Sequence, residues 1–394
     1  MISLQRYAAL FAQPDLRSAI LASLVGRLPI GVTGLALLLL VQARESSFAE
    51  AGLVTSAYLG GLAGIAPLVG RLIDRLGPKP VLLVAGLAYP LTLLTLVAAI
   101  GQGVSVGLVL LLSFVSGATL PQVTTCMRTL YRRSLQDDDL LVAALSFDSV
   151  LIETVFIVGP MLVAFVVATA SAEYAVLLGA MCAAFGALFV TRTPALTHWV
   201  VEPSPRGSLL GALHHSDFRR LLIVLLCYAA VFGLVDIGVA TYAHEVGRPA
   251  LTGVILGVMS IGSAIGGLAY GSRSWHLPLQ RQLASSLIIM GVSIAPLATV
   301  PDPLLFGLLA VVSGLTMAPP LIIQSTIVAK TMPTAQTAEA FTWVTTAMLC
   351  GVGLGFALGG IVAEAEDART VFVLASGITV VVGHLARTVL RTPP

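Results

Sequence analysis

Asparagine is absent from all 394 positions, and lysine occurs only at Lys79 and Lys330. The first absence removes every N-glycosylation acceptor. It also counts against a sugar carrier, because sugar sites pair hydroxyls with several amide side chains. The two lysines leave 19 of the 21 basic residues as arginine, a bias we read as the codon usage of a GC-rich bacterial genome. Charge itself is scarce. Only 10% of residues are charged while 57% are hydrophobic, whereas a soluble domain carries roughly a quarter charged, so this surface is solvated by lipid. The four cysteines (Cys126, Cys182, Cys227, Cys350) stand singly in apolar runs and the six histidines lack ligand spacing, which excludes a disulfide framework and a metal centre. No metal or cofactor is expected. No nucleophile–base constellation is found at membrane depth either, so an embedded enzyme is not expected.

What the chain does have is long apolar runs. Crossing about 30 Å of hydrocarbon takes about 20 helical residues. Suitable runs lie near 18–41, 49–70, 80–100, 105–128, 142–167, 173–191, 221–242, 252–271, 283–300, 304–328, 340–363 and 370–390. Placing both termini in the cytoplasm puts 17 of the 21 Lys and Arg on that side, as the positive-inside rule requires. The net charge of +2 therefore reflects topology and not nucleic-acid binding. No cleavable signal peptide is visible, and the first run is expected to remain as a membrane helix.

The runs repeat. Gly52, Gly61 and Gly70 recur as Gly253, Gly262 and Gly271, each 201 positions on. Asp15, Arg17 and Gly31 recur with nearly the same shift as Asp217, Arg219 and Gly233, and Val115-Ser116-Gly117-x-Thr119 recurs as Val312-Ser313-Gly314-x-Thr316. So long a period is a duplicated half-bundle and not a solenoid. The expected fold is an all-α membrane protein of twelve transmembrane helices in two pseudo-symmetric six-helix bundles. They comprise residues 1–191 and 221–394, joined by a Pro-rich cytoplasmic linker over 192–220, with a short helix near Leu209–His214.

Between the second and third runs lies Gly70-Arg-Leu-Ile-Asp74-Arg75-Leu-Gly77-Pro-Lys79. This loop resembles the signature G-x-x-x-D-R-x-G-x-K of the major facilitator superfamily, and the resemblance extends over the whole chain. Gly70 is expected to let two helices approach closely, Asp74 to offer a carboxylate to a helix N-terminus or to Arg75, Gly77 to permit a tight turn, and Lys79 to add cytoplasmic charge. The resemblance implies a carrier in which this loop latches the cytoplasmic gate when the cavity faces outward. The second half keeps only Gly271-Ser-Arg273-Ser-Trp275, without the aspartate. Asp137–Asp139, at the next cytoplasmic turn, could pair with Arg75 or Arg71, or favour the start of helix five through its dipole. Gly159-Pro160 resembles the end of the antiporter motif of superfamily exporters, without the repeated glycines around it. The helix-four arginine of such exporters is replaced here by Ser113, and Arg128 lies too near the cytoplasmic end to stand in for it.

Ionisable groups inside a bilayer are costly and therefore functional candidates. Four stand out: Arg27 in helix one, Asp148 and Glu153 in helix five, and Asp236 in helix seven. Arg27 lies about 14 Å into its span, and Asp148 and Glu153 about 9 and 17 Å into theirs, so either acid can be its partner. Gly31 and Gly34 share the stripe of Arg27 and leave room for a guanidinium. Glu153 shares a half-polar stripe with Ser146, Ser149, Phe156 and Pro160 and is assigned to proton coupling, while Asp148 is assigned to a structural pair with Arg27. Asp236 either binds a cationic substrate or satisfies loosened backbone. The expected cavity lining is Thr33, Ser116, Thr119, Gln122, Tyr228, Phe232, Thr316, Gln324 and Trp343. So apolar a lining suits a small amphiphile. The sequence thus points to a monomeric secondary carrier in a bacterial inner membrane, with protons, a small-molecule substrate and the lipid bilayer as its partners. A proton-coupled exporter is the first reading. An importer of an anionic metabolite, or a flippase with Arg27 on an anionic headgroup, is the second.

Overall fold

A computed structural model describes residues 10–135, 138–197, 211–272, 275–333 and 337–389, which are helical with no strand. Twelve of the helices it describes are long and apolar enough to cross a membrane. In chain order they are α1 (Pro14–Glu45), α2 (Phe48–Leu76), α3 (Pro78–Gly101), α4 (Val106–Thr119 and Val123–Ser134), α5 (Asp138–Thr169) and α6 (Ala172–Thr191), then α7 (Ser216–Glu245), α8 (Leu251–Gly271), α9 (Leu279–Ile294), α10 (Pro303–Gly314 and Ala318–Thr331), α11 (Thr337–Ala365) and α12 (Ala368–Val389). The expected interval near Leu209–His214 holds a 3₁₀ turn over Ala212–His214, preceded by an unforeseen short helix, Pro194–Thr197.

Polar residues at the helix ends supply the orphan backbone groups with partners. The Ser47 hydroxyl accepts from Glu50 N (3.1 Å) and Asp302 Oδ1 from Leu305 N (2.8 Å). Asp367 Oδ1 accepts from the backbone N–H and the hydroxyl of Thr370 (2.8 and 2.9 Å). Those bonds hold its carboxyl below the ordinary aspartate range.

Helices four and ten, expected to be continuous, are each interrupted in mid-span, at residues 120–122 and 315–317. Pro121 and the pair Pro319–Pro320 lack N–H donors and crowd the preceding turn, so the ladder stops there. The interruptions lie at the ends of the repeated Val-Ser-Gly-x-Thr segments, the second taking in Thr316, and the surroundings of the glycine repeat as well. A Cβ on Gly117 would lie 1.8 Å from Tyr58 O in α2, and one on Gly314 would lie 2.1 Å from Met259 O in α8. Only glycine lets these backbones meet.

The other repeated glycines keep the same correspondence. Gly61 and Gly262 pack on Phe114 O and Val311 O, within their own halves. A Cβ on Gly31 would lie 2.5 Å from Val155 O of α5, and one on Gly233 would lie 2.3 Å from Val352 O of α11. Gly52 and Gly253 join the two halves: their added Cβ atoms would lie 2.2 Å from Phe356 O in α11 and 2.1 Å from Pro160 O in α5.

Successive spans run antiparallel, so the start of α1 and the end of α12 share one face, here the terminal face. The opposite, distal face is where the halves close. Phe48 N donates to Glu364 Oε2 (2.7 Å), Gln42 Nε2 lies 3.2 Å from His244 Nδ1, and the Phe48 ring meets His244 edge-on at 5.7 Å. At the terminal face no hydrogen bond or ion pair joins the two bundles among the described residues. There Leu68, Leu72, Leu76 and Leu268 are exposed, and the glycine contacts between the halves, such as Gly52 on Phe356 and Gly360 on Phe48, all lie toward the distal face.

Candidate functional site

Two sets of embedded ionisable groups lie in the bundle. The first is a node on α1, α4 and α5. Glycines set it in place: Gly26 meets Gly186 of α6 backbone to backbone, and one turn later Gly31 meets Val155 and Gly159 of α5. Arg27, between these contacts, is wholly buried, as is Asp148. Arg27 Nη2 donates to Asp148 Oδ1, and the second carboxylate oxygen accepts from Arg128 Nε at 2.8 Å. One carboxylate therefore bridges two guanidiniums. The Arg128 side chain is 47% exposed.

The bridge leaves Arg27 incompletely paired. Among the described residues its Nε and Nη1 are buried without a hydrogen-bond partner, as are the hydroxyls of Tyr131 and Thr124 nearby on α4. A buried guanidinium with idle donors is expensive. Around it sits a separate apolar cluster that includes Leu16, Ile20, Ile73, Leu130 and Leu151.

The pairing of Arg27 with Asp148 is the one drawn from depth and helical phase. Arg128, near the helix end by residue count, nevertheless reaches the carboxylate. The signal for it in the sequence is side-chain length, since a long stem carries its head deep along a helix. Gly31 does not open room for the guanidinium: α5 backbone fills that space, while Gly34 faces nothing within 4 Å.

Asp236 of α7 is the second embedded group. It is half-buried, and among the described residues it makes no hydrogen bond or ion pair. Phe232, one turn earlier and also half-buried, stacks edge-on against Tyr228 at 5.2 Å. Asp236 lies nine residues, about 13 Å, from the distal end of α7, whereas Arg128 lies near the terminal face. The two sets thus occupy opposite levels of the bundle.

Several expected lining residues are turned away from any open space. Thr33 is fully buried and accepts from Tyr89 Oη (2.8 Å), which pairs with Tyr58 Oη (2.8 Å). Ser116 is buried and donates to Leu112 O. Tyr228 is buried and donates to Met317 O (2.9 Å) at the α10 interruption. Gln324 is 4% exposed, with Nε2 4.0 Å from Met348 Sδ. In each case a nearby carbonyl, hydroxyl or thioether offers a partner in the packed bundle. Thr119, Gln122, Phe232, Thr316 and Trp343 are half-buried; Thr119 bonds to Thr92 and Thr316 to Ser293.

In the signature loop, Gly77 has φ of 81° and ends α2 in the left-handed region that favours glycine; Pro78 then opens α3. The role expected of Gly70 is not found. A Cβ there would meet nothing within 4 Å, and the same holds at Gly271. Arg75 and Lys79 are exposed. The side chains of Glu153, Asp74, Ser146, Ser149, Asp138 and Asp139 lie outside the described ones, as do residues Asp137, Arg273 and Ser274.

A sequence model of the Major Facilitator Superfamily matches residues 19–275 and 221–394. No curated protein matches the chain. Among solved structures it is similar to the nucleoside transporter NupG, with a TM-score of 0.74 at 15% identity over 96% of this chain and 99% of that one. A point mutant of NupG gives 0.73 at 17% identity, over 95% and 100%. The human organic anion transporter MFSD10 (TETRAN) gives 0.63 at 18% identity, over 95% and 99%. At these identities the likeness shows the fold.

Proposed function

Because the chain belongs to the major facilitator superfamily, we propose that it is a proton-coupled exporter of small amphiphilic molecules, working by alternating access in a bacterial inner membrane. The observation that carries this reading is Asp236, a carboxylate in the distal half of its span with no partner among the described residues. A proton or a cationic substrate group can neutralise such a group, and the competition between them couples one movement to the other.

The closed distal face supports the same reading. Positive-inside counting puts the terminal face in the cytoplasm, so the cavity opens to the side from which an exporter loads. Rocking the halves to the opposite state parts Gly52 from α11 and Gly253 from α5, and brings the loop around Gly70 and Asp74 against the second bundle. Gly70 and Gly271 then acquire the close contacts they lack in this conformation. Glu153 remains the helix-five candidate for a second proton site.

The test is accumulation of an amphiphilic dye in proteoliposomes under an imposed pH gradient. Wild type moves the dye with the gradient, and Asp236→Asn moves it by counterflow only, with no response to pH. Gradient-driven transport that survives Asp236→Asn refutes the assignment of Asp236. The absence of any gradient-driven movement in wild type refutes proton coupling.

A further inference from the structure

We propose that Arg128 is the residue that holds an oxoanion group of the substrate, in exchange for its bond to Asp148; this inference rests on the carrier reading above. Arg128 stands on a stripe of α4 with Gln122, Thr125 and Thr129, where Thr125 and Arg128 are exposed and the other two half-buried. Four polar side chains on one accessible stripe of a membrane span do not suit lipid. The segment Val123–Ser134 packs on α1 and α5, helices whose far ends meet the second bundle at Gln42 and Pro160. On this proposal the stripe borders the space between the halves, toward the terminal face.

The bonding of the node is suited to an exchange. Arg128 uses only Nε on Asp148, and among the described residues its two terminal nitrogens have no partner, so they can meet an oxoanion as a fork. With two guanidiniums and one carboxylate the node carries a surplus positive charge, which a monoanion neutralises. If Arg128 leaves Asp148 for the substrate, Asp148 Oδ2 loses its donor. Arg27 holds the replacement: its Nε and Nη1 are buried and idle, and a small rotation lets it take both carboxylate oxygens. The idle donors of Arg27 are thus the reserve that makes release of Arg128 inexpensive. A carboxylate, a sulfonate or a phosphate monoester would satisfy the fork, whether carried by a free amphiphile or by a lipid headgroup. For a free monoanion, an interior-negative membrane potential adds to the drive outward.

Binding of three dansyl probes to purified protein in phosphatidylcholine nanodiscs tests this without requiring transport: dansylglycine (anion), dansylglycinamide (neutral) and dansylcadaverine (cation). Wild type is expected to hold the anion roughly tenfold or more above the neutral probe. Arg128→Gln is expected to bring the anion and neutral probe to the same affinity while leaving the neutral one unchanged, and Arg128→Lys to keep part of the preference. Adding phosphatidylglycerol distinguishes the sources: competition with dansylglycine identifies a headgroup as the occupant, and its absence identifies a free amphiphile. Equal or better binding of the neutral or cationic probe by wild type overturns the proposal, as does an equal weakening of all three probes by Arg128→Gln. Failure of the carrier reading appears elsewhere, as probes that bind and do not cross a proteoliposome membrane.

Discussion

Substituting alanine at four repeated glycines separates their roles, although the sequence presents them as equals. At Gly52 the new Cβ would lie 2.2 Å from Phe356 O and at Gly253 2.1 Å from Pro160 O, both across the interface between the halves. Neither carbonyl can turn aside, because each belongs to a helix backbone. The helices must part by roughly 1 Å to regain ordinary contact, and overpacking of this kind costs about 1–3 kcal/mol. That cost falls only on the conformation with a closed distal face. The equilibrium therefore moves toward the open distal face by roughly 5- to 150-fold. At Gly70 and Gly271 the same methyl meets nothing within 4 Å, so alanine leaves the distal face closed. Spin labels at Ala43→Cys and Arg248→Cys, both exposed near the distal ends of the two halves, report the separation in a background without the native cysteines. Gly52→Ala and Gly253→Ala should add a longer distance, and Gly70→Ala and Gly271→Ala should not. An identical distance distribution for all four variants would refute the argument that these glycines act through backbone contact across the interface.

Two further outcomes follow from the same contacts. Glu364→Gln keeps an oxygen for Phe48 N–H but loses the charge, and a charge-assisted bond is about twice as strong as a neutral one. The same spin labels should show the distal face opening by about fivefold, for a loss of about 1 kcal/mol; an unchanged distribution would remove Glu364 from the closure. Asp148→Leu strands a buried Arg27 and should cost about 3–5 kcal/mol, whereas Arg27→Met combined with Asp148→Leu should recover most of it. Thermal unfolding in nanodiscs measures both, and a double variant no more stable than the single one would show that the node is not an ion pair in energetic terms.

The sequence alone determined the class of fold, the number of spans and the duplication. Those features depend on local composition and on a solvent that demands about 20 apolar residues per crossing. The 201-residue offset was legible as well, and the two copies of each glycine meet matching surroundings: Gly61 and Gly262 pack within their own halves, Gly52 and Gly253 across them, and Gly70 and Gly271 on nothing within 4 Å. Helical phase favoured Asp148 as the partner of Arg27, which the ion pair bears out, whereas depth alone left Asp148 and Glu153 both open. Neither was enough to find Arg128, whose side chain covers a distance that no residue count records, or to see that α5 fills the space beside Gly31. The interruptions of α4 and α10 were signalled by Pro121 and Pro319–Pro320, yet an apolar run reads the same whether straight or broken. Which polar residues face open space was settled by tertiary structure alone. Thr33 and Tyr228 become interior because Tyr89 and Met317, remote in sequence, supply their hydrogen-bond partners. The face at which the bundles close was likewise decided there. Gly52 and Gly70 lie on one helix with the same repeat spacing, and only the position of the other half tells them apart.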